Sequence, residues 1–157
     1  MGDRTNVTLY VLPVHAERAL EILEPFNYKP CSDSRKYDLQ GTNNVYFIFE
    51  EVNYGELQGL DVLCSEGIAY DSCWSAGSEY GAGLQYLRFD SNGIITVQDV
   101  YDDYINPDLT ALMGLIDSPA ELREYIIKHS ERVAIPNWVN QEQNGKIYRT
   151  KQLINPK

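Results

Sequence analysis

The sequence predicts an α+β fold: a ferredoxin-like βαββαβ core with an added β-hairpin and C-terminal helices. Three observations predict it. Apolar, β-branched runs at residues 7–12 (VTLYVL), 45–50 (VYFIFE) and 68–74 (IAYDSCW) have the composition of strands. The segments between them carry apolar residues at intervals of three and four, the mark of one buried helical face. A hairpin turn signal and a proline-started helix then follow in the second half.

The elements follow in order. Pro13 suits a first helical turn, because its missing N–H has no partner to lose there. In the segment after it, Ala16, Ala19, Leu20 and Leu23 form the inward face, and Pro25 stops the helix. Residues 35–40 read as a short edge strand and 41–44 as a turn. Residues 45–50 are nearly all apolar, which suggests a central strand. Asn53 followed by Glu56 is a capping signature, so a second helix is expected to about Glu66, with Gly67 at its left-handed C-cap. Residues 84–89 and 94–100 are strands around the turn Asp90-Ser-Asn-Gly93. Residues 109–116 suggest a short helix. Ser118-Pro-Ala-Glu121 is a capping box opening a helix to about Arg132. Residues 1–135 therefore read as a single α+β domain, and 136–157 as a polar, basic tail with some disorder.

The 157 residues are enough for a core without disulfides or metals, since a chain of this size buries roughly 70% of its extended surface. With 43% hydrophobic and 23% charged residues the composition is that of a globular domain, which excludes a disordered polyampholyte. No apolar run is long enough to span a membrane. The first residues lack the pattern of a secretory signal, so the expected location is cytoplasmic. Cys31, Cys64 and Cys73 then read as reduced thiols; Cys64 and Cys73 could pair in an oxidising compartment, but nothing in the sequence demands it.

The acids are unevenly placed. Residues 50–110 hold twelve acids and one base, Arg88, within a chain of net charge −10. Nucleic acid would be repelled, so direct binding to it is not expected. A basic protein partner is expected instead, because like charge costs stability through self-repulsion but speeds association with an opposite surface. Glu50, Glu51, Asp99, Tyr101, Asp102, Asp103 and Tyr104 are the candidate contact residues, the tyrosines offering an apolar body with a polar tip. The loop of residues 77–83 (GSEYGAG) suggests a second possibility, a ligand pocket lined by Trp74, Glu79, Tyr80 and Arg88.

No catalytic or metal motif accompanies these residues. His15 and His129 stand apart, and no C-x-x-C or H-E-x-x-H pattern occurs. The 77–83 loop contains an acid and precedes a strand, the reverse of a phosphate cradle. Residues 45–50 have the aromatics of an RNA-recognition strand but none of its Lys or Arg. No cofactor, metal or catalytic residue is expected.

The acidic, tyrosine-rich middle resembles the small inhibitors that phages and plasmids encode, such as DNA-mimic antirestriction and anti-CRISPR proteins. It also resembles bacterial immunity proteins. The resemblance is one of composition, and it implies a non-enzymatic protein that inhibits or regulates a basic, nucleic-acid-acting partner. The alternatives are a small-ligand-binding or enzymatic domain with its pocket under the 77–83 loop, and an accessory domain without a partner. Either a monomer or an edge-strand dimer is compatible with the sequence.

Overall fold

The computed structural model describes residues 3–31, 35–39, 42–101 and 106–154. Six strands form one sheet: β1 (Arg4–Val11), β2 (Arg35–Leu39), β3 (Thr42–Asn53), β4 (Tyr70–Trp74), β5 (Gly83–Phe89) and β6 (Ile95–Tyr101). Their order is β2-β3-β1-β4-β5-β6, and each neighbouring pair is antiparallel. The helices are α1 (Ala16–Leu23), α2 (Leu60–Ser65), α3 (Leu109–Gly114), α4 (Pro119–Val133) and α5 (Gln141–Ile154). The protein is thus α+β with an antiparallel sheet. It is not a strict four-stranded ferredoxin-like sheet, because the β5–β6 hairpin pairs with β4 and continues the same sheet. β3 is an interior strand, paired with β2 and β1, and the two middle strands are β1 and β4.

Most of the core lies on one face of this sheet, with Tyr86 and Val100 buried on the other. Val7, Leu9 and Val11 of β1 alternate inward with Phe47 and Phe49 of β3, under Ala19, Ile22 and Leu23 of α1 and Leu63 of α2. Thr5 faces Val52 and Val7 faces Phe49, so Glu50 and Glu51 together oppose Asn6 alone. This is a β-bulge, and Glu51 adopts φ 58° within it. The inserted residue keeps both Phe49 and Val52 on the buried face while the two glutamates stay exposed.

Several local expectations change. Asn53 does not cap a helix; it is the last residue of β3, paired with Arg4. Tyr54 (φ 52°), Gly55 (φ 73°) and Gly59 (φ 91°) hold the next stretch out of the right-handed helical region, so α2 begins only at Leu60. Gly67 (φ 73°) ends it, donating its N–H to Cys64 O as a left-handed cap should. The Asp90–Gly93 turn forms, with Asp90 Oδ1 accepting from the N–H groups of Asn92 and Ile94 at 2.8 and 2.7 Å. Ser118 precedes α4, but its side chain makes no cap hydrogen bond. The capped helix is α3, where Asp108 Oδ1 accepts from Thr110 N.

The basic tail is not a loose end. β5 outruns β4, whose pairing stops at Tyr70 with Leu87. The free backbone groups of Phe89 are taken by Gln141, which accepts from Phe89 N at 2.8 Å and donates to Phe89 O at 3.1 Å. Asn144 donates to the same carbonyl, and Tyr148 packs on the Phe89 ring with centroids 5.0 Å apart. Gly145 sits directly on Gly67: a Cβ at Gly145 would lie 1.9 Å from the Gly67 oxygen. Helix α5 is therefore part of the folded body. Cys64 packs against the core on α2, whereas Cys73 alternates to the other face of β4 from the core-facing Ser72 and Trp74, so the two thiols do not pair. No helix among the described residues is long and apolar enough to cross a membrane.

Candidate functional site

Strand register assembles a cavity where the helices stop covering the sheet. Trp74, Gly83 and Tyr101 lie in one row across β4, β5 and β6, and Ser72, Gln85 and Asp99 in the next. All six project to the core side, continuing the rows that Val7 and Leu9 begin on β1. All but Gly83 line a cavity of about 580 Å³. The β3–α2 connection supplies one wall through Tyr54, Glu56 and Leu57, and Glu79 and Tyr80 of the glycine-rich loop supply another.

The aromatic rings are held by close backbone approach. Trp74 donates its indole N–H to Gly81 O at 3.0 Å and meets Tyr101 edge-on at 5.9 Å. Gly55 and Gly83 flank Trp74 so tightly that a Cβ at either would come within 2.8 and 2.7 Å of its side chain. The Tyr54 and Tyr80 rings meet at a tilt of 57° with centroids 6.2 Å apart. The Tyr80 hydroxyl is buried and has no hydrogen-bond partner among the described residues. Such a group costs about 1–3 kcal/mol until something pairs with it.

The carboxylates are also positioned. Tyr70 donates its phenol O–H to Gln85 Oε1 at 2.6 Å, and Gln85 Nε2 donates to Asp99 Oδ1 at 2.9 Å. This relay fixes one oxygen of Asp99 and leaves Oδ2 as an acceptor. Burial pushes the Tyr70 phenol well above its ordinary range, so it stays protonated and keeps the hydrogen that it donates to Gln85. The loop bearing Glu79 is tied down by Asp3. Its Oδ2 accepts from the Ser78 N–H, from Ser78 Oγ at 2.8 Å and from the Glu79 N–H at 3.3 Å. Those donors hold the Asp3 carboxyl below its ordinary value.

The sequence-derived candidates divide on this map. Trp74, Glu79 and Tyr80 line the cavity, and Asp99 and Tyr101, assigned to a separate contact surface, line it too. Glu50 and Glu51 sit on the β3 bulge, four strands and about 19 Å away in sheet spacing from Asp99. Glu51 is paired there with Arg4 at 3.5 Å. Asp102, Asp103 and Tyr104 lie outside the described residues.

Arg88 is the clear correction. It projects to the opposite face of the sheet and is 3% exposed. Its Nη1 lies 2.8 Å from Asp71 Oδ1 and its Nη2 donates to Asp71 Oδ2 at 3.1 Å. Nε donates to Pro136 O, and Nη1 to Tyr70 O and Leu87 O, each at 3.0 Å. The guanidinium lies 4.0 Å from the Trp138 ring centroid. For Asp71, burial pushes the carboxyl up and Arg88 pulls it back, burial being the larger effect. The only base of the acidic stretch is thus a structural clamp joining β4, β5 and the segment before α5.

Tyr54, Leu57, Leu60, Ser72 and Gln85 were not anticipated as lining residues. Ser72 and Gln85 carried a signal: each is a polar residue on the inward parity of its strand, Ser72 between Tyr70 and Trp74 and Gln85 before Leu87 and Phe89. Among the described residues no cluster of His, Cys, Asp or Glu has the grouping of a metal site. The cavity offers hydrogen-bond acceptors, negative charge and aromatic faces, a combination that attracts cations. The chain matches no family model, no curated protein and no solved structure.

Proposed function

We propose that this is a non-enzymatic interaction protein whose cavity receives a cationic side chain, Lys or Arg, from a basic partner. The observation that carries the reading is the lining itself. Tyr54, Trp74, Tyr80 and Tyr101 surround Glu56, Glu79 and Asp99, and no Lys, Arg or His lines the cavity among the described residues. An ammonium about 4 Å from one carboxylate gains on the order of 4 kcal/mol at the effective dielectric of a protein surface, less its own desolvation. Each aromatic face it meets adds roughly 0.5–2 kcal/mol. Proteins that act on nucleic acid expose clustered Lys and Arg. A regulator or inhibitor of such a protein is the function that the compositional resemblance and the cavity jointly support. The strand order is also compatible with two split βαβ units carrying an added hairpin, which is the finer reading of the fold.

The test is a titration with Nα-acetyl-lysine methylamide, its trimethylammonium form and its neutral Nε-acetyl form, followed by Trp74 fluorescence in a Trp138→Phe background. Saturable binding of the two cations, weakened by salt and at least tenfold by Asp99→Asn, or by Trp74→Ala when followed by calorimetry, is expected. Equal response to the neutral analogue, or none to any, refutes the reading. A second reading, a site for a free small cation, is favoured by the cavity's size, and preference for the free trimethylammonium compound over any peptide would select it.

A further inference from the structure

We propose that the outer edge of β6 is the docking edge for an extended basic segment of the partner, which adds as a seventh strand and delivers its Lys or Arg to the cavity. The proposal rests on the cavity reading above and adds a route to it. Among the described residues β6 pairs only with β5 and ends the sheet. Natural edge strands are commonly guarded by Lys, Pro or bulges. The opposite edge, β2, begins Arg-Lys in its sequence RKYDL. The β6 sequence ITVQDVY has no Lys, Arg or Pro, and its pairing with β5 runs without a register shift.

The side chains of β6 tell what would lie there. Its core-side residues are Ile95, Val97, Asp99 and Tyr101, and all four are exposed, Ile95 at 41% and Val97 at 48%. Residues two apart on a strand are about 6.8 Å apart, so the row runs two apolar positions directly into the cavity lining. An added strand would match it with two apolar residues and one base at every second position. In an antiparallel addition the base comes first in the partner's sequence, and in a parallel one last. A second copy of this chain is the poorer occupant, because each carries a net charge of −10.

Two peptides test the proposal by calorimetry: acetyl-Thr-Lys-Thr-Val-Thr-Ile-Thr-amide and its reversed sequence. One should bind at least tenfold more tightly than Nα-acetyl-lysine methylamide. N-methylating alternate backbone amides in the two possible parities leaves charge and side chains intact, and one parity should lose at least tenfold. Val97→Ser changes an exposed residue without adding charge and should weaken the peptide at least threefold while leaving the lysine analogue unaffected. If neither peptide gains over the analogue, or neither N-methylated form loses affinity, the edge proposal is overturned while the cavity reading stands on the analogue. If the analogue fails to bind but a peptide binds and is blocked by N-methylation, the edge stands and the cavity reading falls. Self-association in sedimentation velocity that Val97→Lys abolishes would give the edge to a second copy and overturn the proposal.

Discussion

Substituting Arg88 by Met separates two roles that composition alone would confuse. In the structure the guanidinium satisfies Asp71 and three backbone carbonyls, those of Tyr70, Leu87 and Pro136. Methionine fills much of the space but leaves the Asp71 carboxyl buried without its counterion. Removing one partner of a buried pair costs about 3–5 kcal/mol, because the remaining charge keeps its desolvation penalty. The carbonyls add to this only in part, since these terms are not additive. We expect a loss of about 4 kcal/mol, or roughly 10 °C in Tm for a chain of this length. In Asp71→Leu/Arg88→Met both charges are gone, and at least 2 kcal/mol should return. Urea unfolding followed by far-UV circular dichroism measures both quantities. Below the unfolding transition, the single variant should bind the lysine analogue as the parent does. A variant within 1 kcal/mol of the parent that has lost ligand binding would refute the clamp and return Arg88 to the ligand site.

Two further predictions concern the loop and the C-terminal helix. The Asp3 carboxyl is held below its ordinary value of 3.8 by the donors of Ser78 and Glu79, so its tether of the loop is fully present above that value and is lost as pH falls through the lower, folded value. The Ser78 amide proton should therefore shift in NMR with a midpoint below 3.8, and lose that transition in Asp3→Asn; a midpoint at the ordinary value would show that the tether is not formed. Gly145→Ala should undock α5 despite alanine's better helix propensity of about 1 kcal/mol, because the added Cβ overlaps the Gly67 carbonyl. Faster hydrogen exchange at Phe89 and in α5 is the expected result, and unchanged protection there would mean that the helix does not dock at this contact.

Strand positions were the most legible part of the fold. Residues such as Val7, Leu9 and Val11 alternate with less buried ones, and that period is written in the sequence. What the local pattern could not reveal was set by distant partners. Asn53 and Glu56 have the spacing of a capping box, yet β1 is long enough to hold Asn53 in a strand opposite Arg4. The polar face of α5 looked like a solvated tail because its key contacts are Gln141 and Asn144 satisfying a strand end 52 and 55 residues earlier. Half of the site was legible for the same reason in reverse. Trp74, Glu79 and Tyr80 are close in sequence and were grouped together, whereas Asp99 and Tyr101 join them only through the register of β4, β5 and β6. Arg88 was misplaced by one residue of parity: as neighbours on one strand, Leu87 and Arg88 face opposite sides of the sheet.

That distinction bears on whether the acidic stretch only keeps the protein dissolved. A solvating surface needs carboxylates pointing outward and nothing to orient them. Here three carboxylates come from three separate places, Glu56 after β3, Glu79 on the loop and Asp99 on β6, and converge on one concave surface. Two of the three are supported by residues whose polar groups are committed to that task. The Tyr70–Gln85 relay holds Asp99, and Asp3 spends one carboxylate oxygen on the backbone and side chain that precede Glu79. Mutual repulsion among the acids opposes such an arrangement in the free protein, and a cation placed between them removes that repulsion. The clamping of Trp74 between Gly55 and Gly83 agrees with this reading, because a cation gains from a ring only when it meets the face. Ordered carboxylates and a fixed indole around one cavity are therefore what supports the proposed cationic occupant over a surface that serves solubility alone.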